Sequence, residues 1–298
     1  MLKVDQVTKS FEHVRAVEAL SIHGETGDIY GLLGPNGAGK TTTIRMIMQI
    51  IQPDSGKITL GGEPLTLEQK DNIGYLPEER GLYQKMKVRE VVEYFASLKN
   101  MDPDKTKNNI DFYLDRFDLL DRAEDKIEEL SKGNQQKIQF IISIIHEPKL
   151  LILDEPFSGL DPVNQVLIKE IIGELQERDT TILLSTHQME QVEKLCQRIC
   201  LISKGKAVLN GNLREIKREY GTQTVRIRSD ESLEDLRSDS AFTYTQMENG
   251  ELLGELRDDI APPDYLKTLV DKIDIRKFEV VEPSLEQIFI DQVRGDAE

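Results

Sequence analysis

A chain of 298 residues with 38% hydrophobic and 31% charged residues has the balance of a globular protein with a sizeable core, and its length suits one large domain with a smaller companion. The formal charge of −16 and a pI near 4.8 argue against broad nucleic-acid binding, which needs clustered Lys and Arg to displace counterions, while leaving room for a local basic patch. No nucleic-acid partner is expected.

Met1-Leu2-Lys3-Val4-Asp5 lacks the charged start and apolar core of a signal peptide, so no secretion is expected. The apolar runs around Ile138–Ile145 and Leu150–Leu153 fall far short of the roughly 18 residues that cross a bilayer. A cytoplasmic location follows, with any membrane role carried by a partner. Cys196 and Cys200, four apart on a predicted helix and without further Cys or His beside them, read as reduced, packed thiols.

In chain order, β-rich runs at Leu2–Val7 and Val14–His23 come first, and Asp28–Leu33 leads into a glycine loop with a helix beginning near Gly39. Asp54-Ser55-Gly56 reads as a turn before a strand at Lys57–Leu60, and Gly61-Gly62 as the next turn, which are antiparallel signals. From Val88 to about Leu130 the residues are charged and helix-favouring, with Val91, Val92, Phe95 and Leu98 at helical spacing, and predict a helical insert. A second α/β stretch from Ser131 to about Asn210 carries buried-strand runs at Leu150–Leu153, Thr181–Leu184 and Ile199–Ile202. Alternating strands and helices imply a mostly parallel sheet. After Tyr220-Gly221 the pattern changes to strands at Thr222–Arg228, Phe242–Gln246 and Leu252–Arg257 and helices near Pro263–Lys272 and Ser284–Val293. A separate small α+β domain over 221–298 is predicted, following a first domain over 1–220. It has no His or Cys and only scattered carboxylates, so a regulatory or dimer-bracing module is expected rather than a second active site.

Gly34-Pro35-Asn36-Gly37-Ala38-Gly39-Lys40-Thr41 has the spacing of a phosphate-binding loop and sits where such a loop belongs, after a predicted strand and before a helix. Glycines allow positive φ and close approach of backbone N–H groups to phosphate, and the helix start adds partial positive charge. Lys40 is expected to neutralise the β- and γ-phosphates of ATP, the Thr41 hydroxyl to ligate Mg²⁺, and Thr42 to complete the cradle. Leu150-Leu151-Ile152-Leu153-Asp154-Glu155 is a buried-strand run ending in two carboxylates, which a parallel sheet delivers to the ligand crevice at its C-terminal edge. Asp154 is expected to hold Mg²⁺ through water, and Glu155 to orient and polarise the attacking water.

With these motifs, residues 1–215 resemble the nucleotide-binding subunit of an ATP-binding cassette (ABC) transporter. Leu130-Ser131-Lys132-Gly133-Asn134-Gln135-Gln136 resembles the family's signature, usually Leu-Ser-Gly-Gly-Gln. Ser158-Gly159-Leu160-Asp161 resembles its D-loop, and Ser185-Thr186-His187 its switch histidine. The resemblance implies an α/β P-loop NTPase fold: a mostly parallel core sheet, an antiparallel β subdomain and a helical subdomain over about 88–130, with the small α+β domain appended. It implies further that Phe11 stacks on adenine, that His187 contacts the γ-phosphate, and that Ser131, Gly133, Gln135 and Asp161 act on ATP held by a second ATPase subunit, an identical copy or a paralogue. A catalytic set of Glu155, His187 and Lys40 follows.

Two positions depart from the family pattern. Lys132 replaces the first signature Gly, opposing the helix dipole while adding a cation near phosphate. Glu78 follows Tyr75-Leu76-Pro77 where a Gln is usual; a carboxylate there still suits Mg²⁺, and Glu78–Tyr83 is the expected lever toward the permease. The resemblance is to bacterial exporters whose ATPase and polytopic permease are separate chains, with sodium- and drug-exporting examples most similar. The expected place is the inner face of the cell membrane. The competing function is a soluble ABC-type ATPase acting on ribosomes or nucleic acid, a class that usually carries two cassettes or a long coiled coil, neither of which is found here. A nucleotide-dependent scaffold with negligible turnover is opposed by Glu155 and His187.

Overall fold

The structure is a computed structural model that describes all residues except 67, 80, 222 and 296–298. It divides into two compact units, Met1–Leu213 and Arg214–Glu298.

In the first unit, β1 (Leu2–Phe11) and β2 (Val14–Gly24) form a long hairpin, followed by β3 (Ile29–Leu33), α1 (Lys40–Ile47), β4 (Ser55–Leu60), β5 (Glu63–Pro64) and β6 (Ile73–Leu76). Helices α2 (Val88–Ser97), α3 (Pro103–Arg116) and α4 (Lys132–Ile144) precede β7 (Leu150–Asp154), α5 (Pro162–Glu177), β8 (Thr181–Thr186), α6 (Met189–Leu195), β9 (Arg198–Ser203) and β10 (Lys206–Asn212). One sheet is antiparallel, in the order β2-β1-β4-β5. The other runs β10-β9-β3-β8-β7-β6 and is parallel except for β10. Every residue of β3, β7 and β8 is buried, because parallel strands between helical layers have no wet face and these runs are Ile- and Leu-rich. Leu2, Val4, Leu20, Leu32, Ile44, Met46 and Ile152 join the two sheets and α1 into one core.

Register decides where the chemistry stands. Leu33 pairs with Thr186, Asp154 with Ser185, and Leu76 with Leu153. The segments that leave β3, β6, β7 and β8 therefore emerge together at the C-terminal edge, where parallel sheets collect ligands.

Some expectations are corrected. Ser55 and Gly56 lie within β4 rather than in a turn: Thr8 pairs with Ser55 across a bulge, and Gly56, at φ 85, would place a Cβ 2.4 Å from the Gln6 carbonyl. Asp54 closes this corner, accepting Lys9 Nζ and the Ser10 N–H at 2.7 Å each. Cys196 and Cys200 do not share a helix: Cys196 caps α6 and Cys200 lies in β9. Both thiols are free and buried, which pushes Cys200 up to about 12. The helical region does not stop near 130, since α4 packs with α2 and against β6. Arg116 bridges α3 to α5 through a two-pronged pair with Glu174 at 2.6 and 2.9 Å.

The second unit begins within α7 (Leu213–Glu219), ahead of the boundary expected at 220. Arg214, Lys217 and Arg218 line a cavity with Val280, Val281 and Glu282, which ties this helix to the later chain. Then come β11 (Thr224–Ser229), β12 (Phe242–Glu248), β13 (Glu251–Leu256), α8 (Pro262–Val270), β14 (Ile275–Val280) and α9 (Leu285–Gly295). The expected strand start at Thr222 lies outside the described residues. The antiparallel sheet runs β12-β13-β11-β14, with Val225, Ile227, Leu252, Leu256, Tyr265 and Leu269 in its own core. Strands β10 and β14 were not expected from the sequence.

Candidate active site

The glycine loop bends back over β3 because its glycines take conformations closed to other residues. Gly39 caps α1 at φ 115, and a Cβ there would lie 2.5 Å from the Ala16 carbonyl; one on Gly34 would lie 2.3 Å from that of Ile202. The Lys40 side chain folds over the loop, Nζ donating to Gly34 O at 2.6 Å and Pro35 O at 3.2 Å. A position built on Gly37 meets no atom within 4 Å, so the loop is open on its outer side. There it borders a cavity of about 460 Å³ lined by Asn36, Gly37, Ala38, Gly39, Lys40, Thr41 and Thr42, by Glu78, Asp154 and Glu155, and by Val14, Arg15, Ala16, Lys204 and Gly205. That volume falls in the range of small-molecule sites.

The two acids face the loop from the end of β7. Asp154 is buried and its Oδ1 accepts Ser185 Oγ at 2.7 Å. Burial raises its carboxyl above the ordinary range, Glu78 and Glu155 add to the rise, and the Ser185 hydroxyl and Lys40 oppose it. Glu155 is also buried and takes φ 51 as the chain leaves the strand. Its Oε2 accepts Thr186 Oγ1 at 2.9 Å, and its Oε1 accepts the His187 N–H at 3.0 Å and lies 2.7 Å from His187 Nδ1. A cation-bearing loop and two buried acids thus line one crevice, while His187, which does not line it, is held against Glu155.

A family model described as "ABC transporter" matches residues 17–158, and one described as "ATP-binding protein DrrA1-3-like, C-terminal domain" matches 211–293. Over 98% of each chain the protein is 47% identical to the uncharacterized ABC transporter ATP-binding protein YhaQ of Bacillus subtilis strain 168. The chain belongs to the ABC transporter ATP-binding protein family. The linearmycin resistance ATP-binding protein LnrL of the same organism is 35% identical over 76% of this chain and 73% of its own. A solved ATP-binding subunit of an ABC transporter superposes with a TM-score of 0.71 at 29% identity, covering 74% of this chain and 93% of that one.

Within this ABC ATP-binding subunit, the other residues singled out in the sequence fall into two groups. Glu78 lines the cavity beyond β6, while its neighbour Arg80 lies outside the described residues. Ser131 caps α4, its Oγ accepting the Asn134 N–H at 3.2 Å, with Gly133 in the first turn. Gln135 Nε2 donates to the carbonyls of Ile127 and Leu130 at 3.1 Å, holding the approach to that helix. Asp161 caps α5 by accepting the Asn164 N–H at 2.9 Å. These four residues do not line the chain's own cavity. Phe11 does not line it either: it stands 46% exposed at the β1–β2 corner with Lys9 Nζ 5.6 Å from its ring centre.

Arg15, Ala16, Lys204 and Gly205 line the cavity without having been singled out. Gly205 N donates to Ala38 O at 2.9 Å, and Gly205 O accepts the Glu18 N–H at 2.8 Å, so the β9–β10 turn ties the loop to β2. Lys204-Gly205 is readable in sequence only as a turn. Nothing local announces its contact with a loop from the other end of the domain.

Proposed function

We propose that this chain binds and hydrolyses Mg-ATP at the loop Gly34–Thr42 and uses the energy to drive a separate membrane permease. The observation that carries the proposal is the crevice lined by Lys40 of the loop and by Asp154 and Glu155 at the end of β7, with His187 Nδ1 held 2.7 Å from Glu155 Oε1. Lys40 and the loop N–H groups hold the phosphates, and Lys40 exchanges its contacts with Gly34 O and Pro35 O for them. Thr41, Asp154 and Glu78 offer a hydroxyl and two carboxylates for Mg²⁺, which takes one or two carboxylates alongside substrate phosphates. When bound, Mg²⁺ supplies charge neutralisation at the phosphates. Glu155 orients and polarises the attacking water, and the γ-phosphate contact is assigned to His187, whose side chain is 58% exposed.

Ser131, Gly133, Gln135 and Asp161 are assigned to ATP held by a second ATPase subunit, an identical copy or a paralogue. Support comes from a capped helix start that can bind phosphate yet does not border its own cavity. The permease contact is assigned to Glu78–Tyr83 and its surroundings. There Tyr83 and Tyr94, 50% and 40% exposed, pack edge to face with centroids 5.6 Å apart on the surface of the helical region. Among the described residues no helix is long and apolar enough to cross a membrane, so the cargo path is assigned to the partner chain and this chain to the inner membrane face. Export of a drug, sodium ion or other small solute is the proposed direction, supported by the resistance role in the name of LnrL.

Light scattering on Glu155→Gln tests the paired arrangement. Hydrolysis is blocked in that variant, so ATP should double its molar mass while ADP leaves it monomeric. A mass unchanged by saturating ATP contradicts a site completed by a second copy.

A further inference from the structure

Two hydroxyls end β8 opposite the two acids that end β7. The parallel register sets Ser185 beside Asp154, and one step later Thr186 meets Glu155. Both hydroxyl residues are buried, at 0% and 1% exposure, and neither lines the cavity. Their hydrogen bonds run inward, to the acids.

The chemistry of the partners fixes the direction of the Thr186 bonds. The Gln188 N–H donates to Thr186 Oγ1 at 3.1 Å. A carboxylate oxygen only accepts, so the hydroxyl proton goes to Glu155 Oε2. The other oxygen, Oε1, is held by the His187 N–H and ring. The two side-chain partners differ in permanence. The His187 side chain is 58% exposed, whereas Thr186 is enclosed. A glutamate has three side-chain torsions to fix before its carboxylate points at a water, and a buried hydroxyl that stays in place removes part of that freedom in advance.

We propose that Thr186 is a positioning residue for Glu155, its hydroxyl aimed by the Gln188 N–H and holding the carboxylate for attack by water while His187 exchanges partners. The inference rests on the reading of Glu155 given under the proposed function. Thr186 acts through Glu155 and touches neither ATP nor the water.

Phosphate release across a range of ATP concentrations separates kcat from KM in Thr186→Val, Thr186→Ala and Thr186→Ser, with Glu155→Gln alongside. Thr186→Val and Thr186→Ala should each lower kcat about 10-fold, the worth of one hydrogen bond to a charged group, with KM and ATP affinity within about twofold of the parent. Thr186→Ser keeps the hydroxyl and should restore most of kcat. If Thr186→Val folds poorly because the Gln188 N–H loses its acceptor, the Ala and Ser pair carries the comparison. A folded Val or Ala variant with full kcat, or a Ser variant as slow as Ala, overturns the proposal. If Glu155→Gln itself hydrolyses at the parent rate, the reading of Glu155 fails instead, so the two failures are distinguishable.

Discussion

Asp154 is held in the fold at a cost. Burial raises its carboxyl, Glu78 and Glu155 add to the rise, and Ser185 and Lys40 only partly offset it. A carboxyl whose folded value lies above its unfolded one destabilises the fold wherever it is ionised, so this contribution worsens as pH rises through the folded value. Asp154→Asn removes the charge and keeps an oxygen for Ser185 Oγ. Without nucleotide, that variant should melt higher than the parent at pH 7. The difference should shrink as pH falls and vanish well below the unfolded value of about 3.9, where the acid is protonated in both states. Mg²⁺-dependent hydrolysis should be lost. Calorimetry across pH reads the first effect, and equal or lower melting at pH 7 contradicts it. The position of Asp154 was legible because the strand and the acids are adjacent in sequence. Arg15 and Lys204 were not, because long-range packing of β2 and the β9–β10 turn brings them to the cavity. Phe11, read as stacking on adenine, stands 46% exposed at the hairpin corner and does not line the cavity beside the loop.

Among elements, the close approach of β6 to α4 joins the cavity wall to the helix that Ser131 caps. Gly74 in β6 makes it possible, since a Cβ there would lie 2.0 Å from the Ser143 carbonyl of α4 and 2.9 Å from Leu151 Cδ1. Gly173, within α5, has no atom within 4 Å of its Cβ position. Gly74→Ala should destabilise the protein by about 1–3 kcal/mol through overpacking. Gly173→Ala should stabilise it by up to about 1 kcal/mol, the helix preference for Ala over Gly. Urea unfolding of both variants checks the pair, and equal effects contradict the backbone contact. Buried strands such as β7 and β8 could be read from their apolar runs, and α2 from Val91, Val92, Phe95 and Leu98 at helical spacing. β14 could not: Ile275–Val280 carries Lys277 and Glu279, and its logic appears only when Arg226 on β11 and Glu251 on β13 supply opposite charges, at 3.7 Å to Glu279 and 3.8 Å to Lys277. Ser55 and Gly56 misled in the same way, a turn-like pair recruited into a bulged strand by β1.

At the scale of the whole molecule, each unit has its own core, and the chemistry described here lies within the first. Motif order along the sequence was enough to suggest the cassette because each motif ends or begins an element, and parallel pairing gathers those ends at one edge. The changed strand and helix pattern after Tyr220-Gly221 set the expected boundary at 220, whereas the second unit begins at Arg214, within α7, whose Arg214, Lys217 and Arg218 line a cavity with Val280, Val281 and Glu282. The proposed function requires that this one crevice hydrolyse ATP, with Glu155 aiming the water. It is tested most directly by phosphate release from saturating Mg-ATP, comparing the purified full-length chain with Glu155→Gln. The account predicts steady turnover in the parent and a loss of at least about 10²-fold in the variant, which still binds ATP. Turnover by Glu155→Gln at the parent rate would contradict it.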